Sequence, residues 1–235
     1  YKFLQSPAMR SRASWLFNAI LLCTVSSAAQ NALAASTTLE YKGFAYSSSG
    51  GTIYADLNPA KYGLESKSVV AGGFNMIEKS TGTSLIAWCV DVFHALNNKF
   101  EYTIGNSSQL NRADDLQKLV NQRYAEVTDK KTSTAFQLAI WEIVTDTGGG
   151  YSLANGTFQA SGFGNAEALA GNWLKLDGKN SGKYEINYFY DGIMNDKTIA
   201  QNLISISSVP LPGAAILMLS ALGLGGLLHR RRRIA

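Results

Sequence analysis

The chain has 235 residues, 46% of them apolar and only 16% charged, with a formal net charge of +4. Seven of its 21 basic residues (Lys2, Arg10, Arg12 and Arg230 to Arg233) lie at the ends, whereas all 17 acidic residues fall between Glu40 and Asp196. The interior therefore holds 14 basic against 17 acidic residues, a net of −3, which argues against nucleic-acid binding.

From Met9 the sequence reads as a secretion signal: Arg10 and Arg12, the short apolar run Trp15–Cys23, then small residues ending Ala32-Leu33-Ala34. Cleavage is expected after Ala34, with Met9 as the true start and residues 1–8 an over-extended reading frame. Residues 35–208 form the exported domain.

Its front half reads as strands: Leu39–Tyr46, a Ser-Ser-Ser-Gly-Gly turn, then Thr52–Leu57, Ser68–Ile77 and Ser84–Phe93. Helices follow over Arg112–Val127 with Asn111 as cap, and over Thr134–Thr145 capped by Thr132 or Ser133 and stopped at Gly148–Gly150. A third short helix spans Ala166–Leu174, and strands return at Tyr184–Tyr190 and Thr198–Ser207. This order predicts an α+β fold, a β-rich sheet or barrel with an inserted small helical bundle.

At the C-terminus stand Val209-Pro210-Leu211-Pro212, an uncharged run Ala214–Leu228 long enough to cross a bilayer as a transmembrane helix, then His229 and Arg230, Arg231, Arg232 and Arg233. The arginines anchor the cytoplasmic side. This three-part tail, residues 209–235, resembles the Pro-Glu-Pro C-terminal sorting signal (PEP-CTERM) of Gram-negative bacteria in its Val-Pro-Leu-Pro form. The resemblance implies processing by signal peptidase and exosortase, transient inner-membrane anchoring, and a final place on the cell surface or in an exopolysaccharide biofilm matrix.

Cys23 leaves with the signal, so the mature protein keeps one cysteine, Cys89. A lone cysteine in an exported protein is a small buried hydrophobe, an intermolecular link, a nucleophile, or half of another covalent bond. The apolar helix downstream carries an uncharged amide, Gln137, in its first turn, costly to bury unless satisfied. A Cys89 attack on that amide would expel ammonia and leave a thioester, given forced proximity and dry walls such as Trp88, Phe136 and Trp141.

Trp88-Cys89 and Phe136-Gln137-Leu-Ala-Ile140-Trp141 resemble the motifs of the thioester domain of bacterial surface adhesins. The resemblance implies a thioester-domain-like fold and a Cys89–Gln137 acyl donor for covalent adhesion to an amine or hydroxyl target, used once and without turnover. Asp91 shares the strand face of Cys89 and either orients the thiol or binds backbone. His94 is either a base or, if the strand persists, a bystander facing away. Glu142 reads as a solvated helix residue. A cysteine hydrolase using Cys89 and His94 fits poorly, and with one Cys and one His there is no metal site and no cofactor fingerprint. The competing reading is a passive structural exopolysaccharide-associated protein with a free, buried Cys89.

Overall fold

Alternating burial lays out the strands. The computed structural model describes residues 35–56, 63–96, 99–148, 150–178, 182–194 and 198–209. Its strands are β1 (Ser36–Phe44), β2 (Ser49–Ala55), β3 (Glu65–Ala71), β4 (Phe74–Glu78), β5 (Ser84–Cys89), β6 (Lys99–Asn106), β7 (Phe158–Ser161), β8 (Tyr184–Met194), β9 (Thr198–Ile199) and β10 (Leu203–Ser208). The main sheet runs β10-β5-β4-β1-β6-β8-β9, and β10 also pairs with β8. Six antiparallel strands thus close into a barrel, which leaves them no open edge. A second sheet runs β3-β2-β7. Helices α1 (Ala113–Arg123), α2 (Lys130–Thr145) and α3 (Asn165–Trp173) lie in the chain between β6 and β8. The β-rich α+β expectation therefore holds.

Several local readings change. The run Ser68–Ile77 is two strands in different sheets, broken at Gly72-Gly73, because Trp88 packs there: a Cβ on Gly73 would lie 2.9 Å from its ring. The expected serine-glycine turn is shorter, since β2 already starts at Ser49. β6 was not expected, although Phe100 and Tyr102 point inward between exposed Lys99 and Glu101. β7 was not expected either, and β8 continues to Met194, whereas β10 starts only at Leu203. Asn111 does not cap α1. Its side chain donates to the Val144 carbonyl, and Arg112 takes the N-cap position in the left-handed region at φ 51°.

α2 starts four residues earlier than its sequence suggests. Asp129, not Thr132 or Ser133, is the cap, and it exchanges hydrogen bonds with Thr132 in a capping box. Gln137 consequently sits mid-helix. The helix is buried from Ser133 through Ile143, with Ser133, Thr134 and Gln137 satisfied by hydrogen bonds while the Trp141 indole N–H and Glu142 Oε2 lack a partner. Ser133 Oγ accepts the Gly73 N–H at 3.0 Å, and Thr134 Oγ1 donates to the Ala71 carbonyl at 3.3 Å. These bonds stitch the helix to the β3–β4 break. Phe136 stacks edge-on against Trp88, with ring centroids 4.8 Å apart.

The expected secretion signal (residues 1–34) and the expected sorting tail beyond Val209, including Pro210, Leu211, Pro212 and Arg230 to Arg233, lie outside the described residues. Among the described residues no helix is long and apolar enough to cross a membrane.

Glu142 is fully buried instead of solvated. Burial raises its carboxyl to about 7, the Ser152 N–H at 2.6 Å works against this, and neighbouring Asp146 adds to the rise. Asp146 stays below the usual carboxylate range despite burial, because Gly148 and Thr157 donate to it. In the folded protein Glu142 keeps a proton that the unfolded chain has already lost. The resulting stabilisation is complete below about pH 4.5 and fades as pH rises to about 7. Glu142→Gln should therefore melt above wild type at about pH 8 and alongside it near pH 4. Equal melting temperatures at both pH values, followed by circular dichroism, would rule out the buried proton.

Candidate functional site

Cys89 is the last residue of β5, and the strand register decides what surrounds it. It pairs with Leu203 of β10, which makes Gln201 its diagonal neighbour. The next rung, Val90 N–H to the Asn202 carbonyl at 3.0 Å, holds this register. The sulfur, 1% exposed as a residue, lies 2.7 Å from Gln201 Oε1 and 3.0 Å from the Asp91 carbonyl. The Asp91 N–H points at the same sulfur from 3.3 Å.

On its other side β5 has lost its neighbour. β4 accompanies it only from Ile77↔Ser84 to Phe74↔Ala87, so the Cys89 peptide groups have no strand to meet. Gln137 fills the gap. The Cys89 N–H donates to Gln137 Oε1 at 3.0 Å, and Gln137 Nε2 donates to the Cys89 carbonyl at 2.7 Å. A side-chain amide stands in for one peptide of the missing strand. Cys89 and Gln137 are thus brought together, but through the cysteine backbone; the carboxamide that meets the sulfur belongs to Gln201.

Gln201 is absent from the sequence-based candidates. It is one of several uncharged amides in the chain, 112 residues from Cys89. The usable cue is a strand pairing: an amide two residues before the apolar strand that lies beside the cysteine strand.

Burial pushes the Cys89 thiol up to about 12, while the Trp141 indole and the Asp91 backbone pull it part of the way down. The indole N–H has no hydrogen-bond partner of good geometry, so it acts on the sulfur as a nearby dipole. The sulfur is therefore a protonated thiol at neutral pH, with little of the thiolate that turnover chemistry needs. Trp88, fully buried, packs against Phe136 and Gly73, and as the strand neighbour of Cys89 it points to the opposite face, so it is not a wall of the sulfur site as the sequence suggested.

A cleft of about 310 Å³ opens beside the sulfur. Gln201, Trp141, Asp91, His94 and Lys67 reach it, with Phe44 and Phe74 among its apolar walls. His94 does not face away as a continued strand would require, because the strand stops at Cys89. Asp91 Oδ1 accepts the Phe93 N–H at 2.9 Å, and this turn brings His94 Nδ1 to 2.6 Å from Asp91 Oδ2.

Gln137→Met removes both bonds to Cys89 at nearly constant volume and orphans a buried N–H and a buried C=O. At about 1–3 kcal/mol for each group, urea unfolding should show a loss of about 2–6 kcal/mol. A loss below about 0.5 kcal/mol would mean that water reaches that strand end. No known family profile matches this chain, and comparison with curated proteins gives no match either.

Proposed function

We propose that this is an exported surface protein that carries an internal thioester between Cys89 and Gln201 and transfers the Gln201 acyl group once to an external nucleophile. Gln201 takes the acyl role that the sequence suggested for Gln137. The observation that supports the reading is the 2.7 Å separation of Cys89 Sγ and Gln201 Oε1. That is short for a thiol hydrogen bond. In a thioester the sulfur and the carbonyl oxygen, the latter about 1.23 Å from its carbon, are substituents of one trigonal carbon, and their separation falls near this value.

The chemistry balances without a cofactor. The Cys89 sulfur bonds to the Gln201 side-chain carbonyl carbon, the C–N bond breaks, and the thiol proton leaves with the nitrogen as ammonia. Proximity drives the step, since a thiol held up by burial is a poor nucleophile in open solution. The same dryness protects the product from water. Gln201 lines the cleft while Cys89 lies behind it, so an incoming nucleophile meets the acyl carbon first and the sulfur departs inward. The signal at residues 1–34 and the sorting tail at 209–235 supply the address: export, exosortase processing, and display at the surface or in the matrix.

The mature protein should weigh one ammonia less than its sequence, and Cys89→Ala and Gln201→Ala should each restore the full mass. Full mass in wild type, with Cys89 alkylated quantitatively after denaturation, would leave the passive matrix protein instead. Cell fractionation tests the address. Replacing Arg230 to Arg233 by glutamine should disturb membrane retention and processing; unchanged sorting would discard the tail assignment.

A further inference from the structure

The proposed thioester leaves open what it reacts with, and the following rests on that reading. Asp91 and His94 form a fixed pair at the cleft. Asp91 is the better buried partner, with 11% of its side chain exposed against 43% for His94. Its Oδ1 is engaged by the loop backbone and its Oδ2 by His94 Nδ1. A carboxylate at 2.6 Å selects the tautomer with the proton on Nδ1, which leaves Nε2 as the basic nitrogen. Nε2 has no hydrogen-bond partner among the described residues.

We propose that Asp91 and His94 provide the base for acyl transfer from Gln201, His94 as the catalytic residue and Asp91 as its positioning residue, and that the acceptor class they serve is an alcohol. The two candidate nucleophiles differ in when their proton must leave. An unprotonated amine attacks a thioester with its lone pair and sheds a proton afterwards. A hydroxyl is weakly nucleophilic until a base takes its proton during attack. An imidazole oriented by a carboxylate beside the acyl group answers the second need. The charge of the lining agrees. Its one carboxylate, Asp91, is occupied by its own loop and His94, and its ammonium, Lys67, disfavours entry of a protonated amine.

In the transfer, Nε2 of His94 takes the hydroxyl proton as the oxygen bonds to the Gln201 carbonyl carbon. The carbon–sulfur bond then breaks with its electron pair on Cys89 Sγ. The Asp91 N–H, 3.3 Å from the sulfur, steadies that charge until the imidazolium proton is passed on. The products are a Gln201 ester and a neutral Cys89 thiol, with no net gain or loss of protons.

The test uses the mature protein, glycerol as the alcohol, methylamine as the amine, and intact mass as the readout. His94→Ala removes the base. Asp91→Asn keeps the acceptor for Phe93 N–H but offers His94 an N–H, which moves the ring proton to Nε2. Both variants should still be one ammonia light, and both should form glycerol ester about a hundredfold or more slowly, with methylamide formation unchanged. Ester formation at the wild-type rate in either variant overturns the base assignment. A wild type that accepts methylamine but not glycerol overturns the alcohol assignment. A wild type of full mass removes the thioester itself, and this inference with it.

Discussion

The structure turns on a side-chain amide that takes the place of a strand. β4 and β5 separate after Phe74↔Ala87, and a peptide left bare at that depth would cost about 1–3 kcal/mol for each unpaired group. Gln137 restores both bonds to Cys89 from a helix instead of a neighbouring strand. Glutamine suits the task because one uncharged group carries a donor and an acceptor in the spacing of a peptide. A glutamate would bring charge into a site with no exposure and could not donate when ionised. Through this contact α2 fixes the end of β5, and the end of β5 fixes where the sulfur sits.

From there the chemistry is a matter of register and dryness. Pairing of Cys89 with Leu203 makes Gln201 the diagonal neighbour, and a one-residue slip would send the sulfur to the opposite face. The sulfur is buried, while Gln201 reaches the cleft. A buried, protonated thiol suits a bond formed once by proximity. It does not suit a hydrolase, which must regenerate a thiolate in every cycle.

The sequence was informative where one interaction dominates a stretch. β1 shows its alternation, and the buried face of α2 shows its period of apolar residues, so both were legible. The start of β6 alternates as plainly, with Phe100 and Tyr102 buried between exposed Lys99 and Glu101. The break at Gly72-Gly73 was not legible, because the reason for it is Trp88, fifteen residues downstream. Glu142 looked solvated because helical spacing places Asp146 beside it but cannot show the Ser152 N–H that a later loop brings in. For His94 the sequence left two readings, and the one that faces it away needs the strand to continue; β5 stops at Cys89, and the Asp91 side chain caps the turn that follows. At the site, the sequence pointed to the helix amide, and only strand pairing brings Gln201 to the sulfur.

The two glutamines show how far partners outweigh residue type. Gln137 has its oxygen and its nitrogen bound to the same peptide, so losing ammonia would orphan the Cys89 carbonyl and dismantle the support of the cysteine itself. Its chemistry and its structural role exclude each other. Gln201 stands under no such restraint: its backbone is held by Tyr102 and Ala95, leaving its side chain to face the sulfur. Its carboxamide can give up nitrogen without breaking a rung of the barrel. The proposed single reaction would need both kinds of amide, one bound tightly enough to stay inert and one held only at its base.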